Sequence, residues 1–334
     1  MQNCSVNKFL NRPAPCRRGA GLALLALGLV TAAAADGDPF ATRKPPPIVG
    51  RWDLKVRDGE QEYPSWLEVR QSGYRTLVGS YVGQFGSARP VAEIKMDAAS
   101  GRFRFSVPPQ WERRTNEIVF EGRIENDVLL GETTNDQGGP VHWEARRAPA
   151  LVRPHAPKWG KPVALFNGRD LSGWKPRHPN AAHGWRVQDG RLTNSVPGND
   201  LLTERRFTDF RLRAQFRYPK GSNSGIYLRG RYEVQIEDDF GQEPDSHGIG
   251  GVYGFLSPRV NACRKAGEWQ TLEITLVGRV LTVVLNGEPI IERQAIPGIT
   301  GGALDSDEDK PGPLMVQGDH GRIEFRELTL TPAE

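Results

Sequence analysis

The stretch YEVQIEDDFG, residues 232–241, sets Glu233, Gln235 and Glu237 at alternate positions and closes on Asp238 and Asp239. In an extended strand alternate side chains share a face. Two carboxyl groups and an amide side by side on one face can move protons or grip the hydroxyl groups of a sugar. The plain alternative is a half-buried edge strand whose outer side is wet.

The strand before it decides how these groups are held. SGIYLRG and RYEVQIE are nearly contiguous, so they pair as a hairpin through a three-residue loop, Arg229-Gly230-Arg231. Leu228 then faces Tyr232 and Ile226 faces Val234, which turns both apolar sets to the core. The other face presents Tyr227 beside Glu233, Gly225 beside Gln235, and Asn223 beside Glu237. A glycine at its centre is expected to leave room for a ligand.

Two further stretches compete for the same place. HGIGGVYGFLSP, residues 247–258, starts at His247 and is glycine-rich, so its backbone can lie against a ligand or serve as a flexible loop. VQGDHGRIEF supplies Gln317, Asp319 and His320 just before the last strand. An aspartate next to a histidine can orient an imidazole base, or simply close a turn.

The elements around these residues are strands almost throughout. Two proline-rich stretches, 36–47 and 148–162, read as extended connectors, and they bound a domain over 48–147 and another over 163–331. In the first, segments such as GRFRFSV and NEIVFEGRIE alternate apolar and polar residues between turns. This predicts a small antiparallel barrel or meander, faintly like a lipocalin at its opening GRWDL. Its Tyr63, Trp66, Tyr81, Trp111 and Trp143 could stack on a sugar ring, which makes the domain a candidate glycan-binding module, although filling a small barrel is the simpler use. The second domain has longer strands joined by NG, DG or single glycines and no Cys–Trp–Cys frame, which predicts a two-sheet sandwich of the jelly-roll kind. The fold class is therefore all-β.

Residues 1–35 belong to neither domain. Lys8, Arg12, Arg17 and Arg18 precede an apolar run from Ala20 to Val30, and TAAAAD follows. The run is too short to span a bilayer and suits a cleaved signal peptide, so the protein is expected in the periplasm or outside the cell, without stable membrane insertion. Cys4 and Cys16 lie before the run, which disfavours a lipid anchor, and their loss leaves Cys263 without a disulfide partner. Four of the 44 basic residues leave with the leader, so the remainder balances 40 acidic ones. No basic patch points to nucleic acid.

From PVALFNGRDLSGW through GSNSGIYLRGRYEVQIEDDFG to PLMVQGDHGRIEFREL, residues 163–331 closely resemble the bacterial 3-keto-disaccharide hydrolase family, also described as 3-keto-glucoside 1,2-lyases and 3-keto-2-hydroxy-glucal hydratases. The resemblance does not extend to the first domain. It implies a concanavalin-like jelly roll that binds a sugar or glycoside already oxidised at C3. A C3 ketone acidifies the C2 proton, so a base can remove it and the enolate can expel the group on C1. Hydration of the resulting 2-hydroxy-3-keto-glucal makes the sum a hydrolysis. Glu233, Glu237 and His320 are then the candidate bases, and Arg229 and Lys265 the candidate cations for the enolate oxygen. Tyr227 and Trp269 are candidate stacking platforms. Asn223, Gln235, His247, Gln317 and Asp319 complete the candidate binding set. The residues name no certain cofactor, and two carboxylates with a histidine would suit a divalent metal.

Two other functions fit part of this pattern. A retaining glycosidase of laminarinase type also carries carboxylates on alternate positions of one strand. However, Cα atoms four residues apart lie ~13 Å apart, whereas a retaining pair needs carboxyl groups ~5.5 Å apart. A non-catalytic glycan-binding protein would use the same groups only as hydrogen-bond partners.

Overall fold

The computed structural model describes residues 45–196 and 198–334, which form one compact unit. The expected leader and most of the first proline-rich stretch lie outside the described residues.

The first nine strands are β1 (Gly50–Asp58), β2 (Gln61–Ser72), β3 (Thr76–Val82), β4 (Arg89–Val91), β5 (Ile94–Met96), β6 (Arg102–Val107), β7 (Ile118–Glu125), β8 (Val128–Thr134) and β9 (Pro140–Arg147). Each pairs antiparallel with the next, except at β4 and β5, and β9 returns to pair with β1. The two edges of the sheet, β4 and β5, are joined by only two residues, so the sheet has to curl until its edges nearly meet. The result is an up-and-down barrel open at one seam. Alternation fills it: Trp52, Leu54, Val56, Phe103, Phe105 and Trp143 are buried in one cluster while their neighbours face water.

Thirteen strands follow: β10 (Val163–Ala164), β11 (Trp174–Pro176), β12 (Trp185–Gln188), β13 (Arg191–Asn194), β14 (Leu201–Phe207), β15 (Phe210–Arg217), β16 (Asn223–Leu228), β17 (Tyr232–Glu237), β18 (Gln270–Val277), β19 (Val280–Leu285), β20 (Glu288–Ala295), β21 (Gly312–Val316) and β22 (Ile323–Pro332). They build an eight-stranded sheet, in the order β12-β13-β22-β15-β18-β19-β20 with β10 on β22, and a five-stranded sheet, β11-β14-β21-β16-β17. The order leaps along the chain, as in a jelly roll. One core of buried apolar side chains from both sheets lies between them, including Phe216, Ile226, Val234, Leu272, Ile274 and Phe325.

Barrel and sandwich share a packed boundary. Trp66 and Val82 of the barrel belong to the sandwich core, and Trp66 meets Phe255 edge to face at 5.3 Å. Ser306 Oγ donates to Leu54 O at 3.0 Å. The second proline-rich stretch is docked along the sandwich: Arg153 Nε donates to Asp209 Oδ2 at 2.6 Å, and Glu334 N donates to Lys158 O at 2.8 Å. No helix among the described residues is long and apolar enough to cross a membrane.

Candidate active site

The site rests on the hairpin β16–β17. Its register pairs Leu228 with Tyr232, Ile226 with Val234, Tyr227 with Glu233, Gly225 with Gln235 and Asn223 with Glu237. Arg229 and Gly230 both take positive φ, 55° and 69°, to close the loop. Ile226, Leu228, Tyr232, Val234 and Ile236 enter the core, which leaves the polar set on the opposite face.

Glu233 is the centre of that face. Its carboxyl is buried, and Oε2 lies 2.9 Å from Tyr227 Oη. Tyr227 Oη is also 2.9 Å from the carbonyl of Gly301. With its amide nitrogen turned to Glu233, Gln235 donates to Oε1 at 3.3 Å and to Ser224 O at 3.0 Å, and its oxygen accepts from Asn223 Nδ2 at 3.2 Å. Asn223 Nδ2 donates in turn to Glu237 Oε2. One polar network thus links Gly301, Tyr227, Glu233, Gln235, Asn223 and Glu237.

The space beside Gly225 is not open to a ligand. A Cβ there would lie 2.3 Å from Glu233 Oε1, so the expected gap is filled by the carboxyl of Glu233 itself. The missing side chain makes room for the acid.

Burial pushes the Glu233 carboxyl up to about 8, against the opposing effects of the Tyr227 hydrogen bond and the charge on His320. Tyr227 is driven well above its usual range, first by burial and then by the neighbouring carboxylate, so it remains a neutral phenol. Its single proton has two acceptors to serve. A protonated Glu233 that donates to Tyr227 Oη, which donates to Gly301 O, satisfies both contacts. Glu237, half-buried, is also raised by burial, with the Asn223 hydrogen bond opposing.

Two Asp–His pairs belong to the surroundings of Glu233. His320 Nδ1 lies 2.5 Å from Asp319 Oδ1 on the exposed side, and that bond raises the imidazole above its ordinary value. His247 Nδ1 lies 2.7 Å from Asp245 Oδ1, and its ring meets Tyr253 edge to face at 4.8 Å. Tyr253 N donates to Glu233 O at 3.1 Å, so this pair adjoins the same strand. Gln317 continues β21 next to Gly225, to whose carbonyl its backbone N–H donates at 2.9 Å. Its side-chain oxygen is buried without a partner, an acceptor suited to a substrate hydroxyl.

Two expected residues are elsewhere, and a third is turned to solvent. Arg229 is fully buried and donates to Tyr232 Oη at 3.1 Å, Gly278 O at 2.9 Å and Glu308 O at 3.3 Å; it is a structural cation at the barrel boundary. Trp269 lies between Arg217 and Arg326, 4.9 and 4.4 Å from its ring, and those arginines belong to β15 and β22 of the other sheet. Lys265 is exposed, with its ammonium 5.8 Å from the Phe240 ring. No group of three His, Cys, Asp or Glu side chains is arranged to hold a metal among the described residues.

Arg177 and Asp200 belong to the site and were not foreseen. Arg177 Nη1 reaches Asp200 Oδ2 at 3.1 Å and Gly302 O at 3.0 Å. Asp200 Oδ1 accepts from Gly318 N at 3.0 Å, and burial raises the Asp200 carboxyl. The charges of both act on Tyr227. An arginine between two prolines in a turn has no periodic signal to reveal it. A cavity of about 860 Å³ lies apart on the barrel, where Lys55, Arg57, Arg104, Glu121 and Glu132 line its walls. Of the aromatic residues expected to meet a sugar only Trp143 borders it, and none of the residues expected on the Glu233 face does.

Among solved structures, the chain is similar to a candidate glycosyl hydrolase from Parabacteroides distasonis, with 27% identity over 54% of this chain and 92% of that one, at a TM-score of 0.45. A non-specific endo-β-1,3(4)-glucanase of family GH16 is 10% identical over 55% and 95%, at a TM-score of 0.35. The carbohydrate-binding module CBM66 from Bacillus subtilis is 12% identical over 47% and 94%, at a TM-score of 0.31. No curated protein matches the chain. The sequence profile of the 3-keto-alpha-glucoside-1,2-lyase-like domain matches residues 161–331. That span holds both sheets of the sandwich and every residue of the Glu233 network, and on this match the chain belongs to that family of carbohydrate-active enzymes.

Proposed function

We propose that the protein cleaves 3-keto-glycosides by removing the C2 proton and eliminating the group on C1, and then hydrates the glucal to give net hydrolysis. The observation that carries this reading is the buried carboxyl of Glu233, at about 8, within the family-matched span. A proton next to a ketone is weakly acidic, and a carboxylate starved of water is a stronger base than one in solvent.

In this reading Glu233 takes the proton as the C2–H bond breaks, and the electron pair moves into an enolate across C2 and C3. The enolate re-forms the ketone as C1=C2 forms and the C1–O bond breaks. His320, kept protonated by Asp319, gives its proton to the leaving oxygen. Water then adds at C1 and gives its proton back to His320, while Glu233 returns a proton to C2. Tyr227 and Gln235 keep the carboxyl in place. Asn223, Gln317 and Arg177 are the donors and acceptors available to sugar hydroxyls and to the enolate oxygen. We further propose that residues 1–35 direct export, so that the sugar is met in the periplasm or outside the cell.

The test is incubation with a 3-keto-glucoside deuterated at C2 and with the unoxidised glucoside. Cleavage of the keto sugar alone, with deuterium lost to solvent, is the expected result. Cleavage of the plain glucoside would instead identify an ordinary glycosidase, and binding of both without turnover a lectin.

A further inference from the structure

A loop of the barrel reaches the wall of this site. Gly302 N donates to Gln84 O at 2.8 Å, and a Cβ on Gly301 would lie 2.2 Å from Gly86 O. Gly301 is the residue whose carbonyl meets Tyr227 Oη. On the other side, a Cβ on Gly254 would lie 2.6 Å from Ser87 Cβ, next to the Tyr253 that bonds the Glu233 backbone. Residues 84–88 are therefore wedged between the two segments that flank Glu233.

Two large apolar side chains at this place are left in water. Phe85 and Trp111 are 46% and 41% exposed, and their rings meet edge to face at 5.3 Å. The two loops that carry them are clamped together by a side chain: Gln110 Oε1 accepts from Ser87 N at 3.0 Å and Gln110 Nε2 donates to Ser87 Oγ at 2.7 Å. Arg89, almost fully buried, donates to Pro108 O at 2.9 Å and pairs with Glu112 at 3.0 Å. Exposed single apolar residues are ordinary, but an aromatic pair fixed by buried polar bonds is a rigid surface that costs little entropy to use.

We infer that Phe85 and Trp111 form a second subsite, which stacks against the sugar ring attached at C1 of the oxidised residue, so that the barrel selects disaccharides over glycosides with small leaving groups. The inference rests on the reading of the Glu233 face given above. Continuity with that face favours a sugar over a protein partner, because the loop carrying Phe85 is itself a wall of the site and Trp111 is held against that loop. An aromatic face also suits the apolar C–H side of a pyranose.

The test compares the intact protein with Phe85→Ala/Trp111→Ala and with Trp111→Phe, using a 3-keto glucose disaccharide and methyl 3-keto-glucoside, by turnover and by calorimetric binding. The double variant is expected to weaken binding of the disaccharide about tenfold, to raise its KM similarly, and to leave the methyl glycoside unchanged. Trp111→Phe is expected to keep most of the disaccharide affinity. Equal losses on both sugars, or no loss on either, would overturn the subsite while leaving the elimination reading intact. If the unaltered protein turns over neither keto sugar, the elimination reading fails, and the subsite falls with it.

Discussion

Tyr227 Oη stands 2.9 Å from Glu233 Oε2, across one rung of the hairpin that pairs the two residues. The phenol is the strongest of the groups that oppose the effect of burial on Glu233. Tyr227→Phe removes it and leaves the ring in place. The Glu233 carboxyl should then rise further, so the acidic limb of the pH–rate profile moves to higher pH. A turnover loss of about tenfold is expected, in line with ~1.4 kcal/mol from one bond to a charged group. A profile that does not move would show that Glu233 is not the group titrating in that limb.

The same burial has a consequence for stability. The ordinary value of the carboxyl is 4.5 and its folded value about 8. Between them the folded protein holds a proton that the unfolded chain has released, so stability falls as pH rises through this window and stays reduced above it. Glu233→Gln keeps the shape and has no proton to lose. Its melting temperature should match the unaltered protein below pH 4.5 and exceed it above about 8, by ~2–4 °C for each kcal/mol. Scanning calorimetry across that range checks the crossing; parallel curves would contradict it.

Much of this arrangement was legible because strands have a period of two. A three-residue loop between SGIYLRG and RYEVQIE leaves one register that buries Ile226 with Val234, and that register puts Glu233 beside Tyr227. Alternation also marked the barrel strands, though not that β4 and β5 would be its open seam. Periodicity is silent on groups brought together by loops. Arg229 in a hairpin turn reads as a cation free to meet the enolate oxygen, yet the segment 304–313 covers it and supplies the Glu308 carbonyl. Arg177 and Asp200 reach the Glu233 face only through the folding of turns around β11 and β14. The role of Gly225 was misjudged for a related reason: which neighbour fills a glycine gap depends on rotamers, here that of Glu233.

His320 owes its raised value chiefly to the hydrogen bond that its Nδ1–H donates to Asp319. Asp319→Asn removes that support. If His320 is the acid for the leaving group, activity fails where the imidazole loses its proton, so the alkaline limb should move to lower pH. A leaving group that is already a good one, such as a nitrophenolate, needs no proton and should be nearly insensitive to the change. Sensitivity equal to that of an alkyl glycoside would remove His320 from the acid role.

At the barrel boundary, Glu308 is fully buried and accepts from Arg279 Nη2 at 2.6 Å, with the Tyr232 hydroxyl on its other oxygen. Asp53 of β1 is pushed up to about 10, mainly by burial and then by Glu308, so Asp53 keeps its proton at neutral pH. Glu308→Ala leaves Arg279 buried without its partner. The expected cost is about 3–5 kcal/mol, read as a lower urea midpoint, and Glu308→Gln should cost less because it still occupies the space and can hydrogen-bond. A Glu308→Ala midpoint within error of the original would mean that the boundary does not depend on this pair.

Gly225 offers the most selective test of the site. A methyl group there would lie 2.3 Å from Glu233 Oε1 and 3.0 Å from Glu233 Cδ, contacts that only movement of the carboxyl can relieve. Gly225 lacks a positive φ, so alanine is compatible with its backbone, and residues 223–228 should remain a strand. Gly225→Ala is therefore expected to fold and to displace Glu233 from Tyr227 and Gln235. A misplacement near 1 Å can cost about 100-fold in rate, so turnover should fall on that scale while far-ultraviolet circular dichroism and the melting temperature change little. Retention of full activity would mean that the Glu233 carboxyl does not have to sit where β16 and β17 hold it, and the proton transfer would have to be assigned to another group.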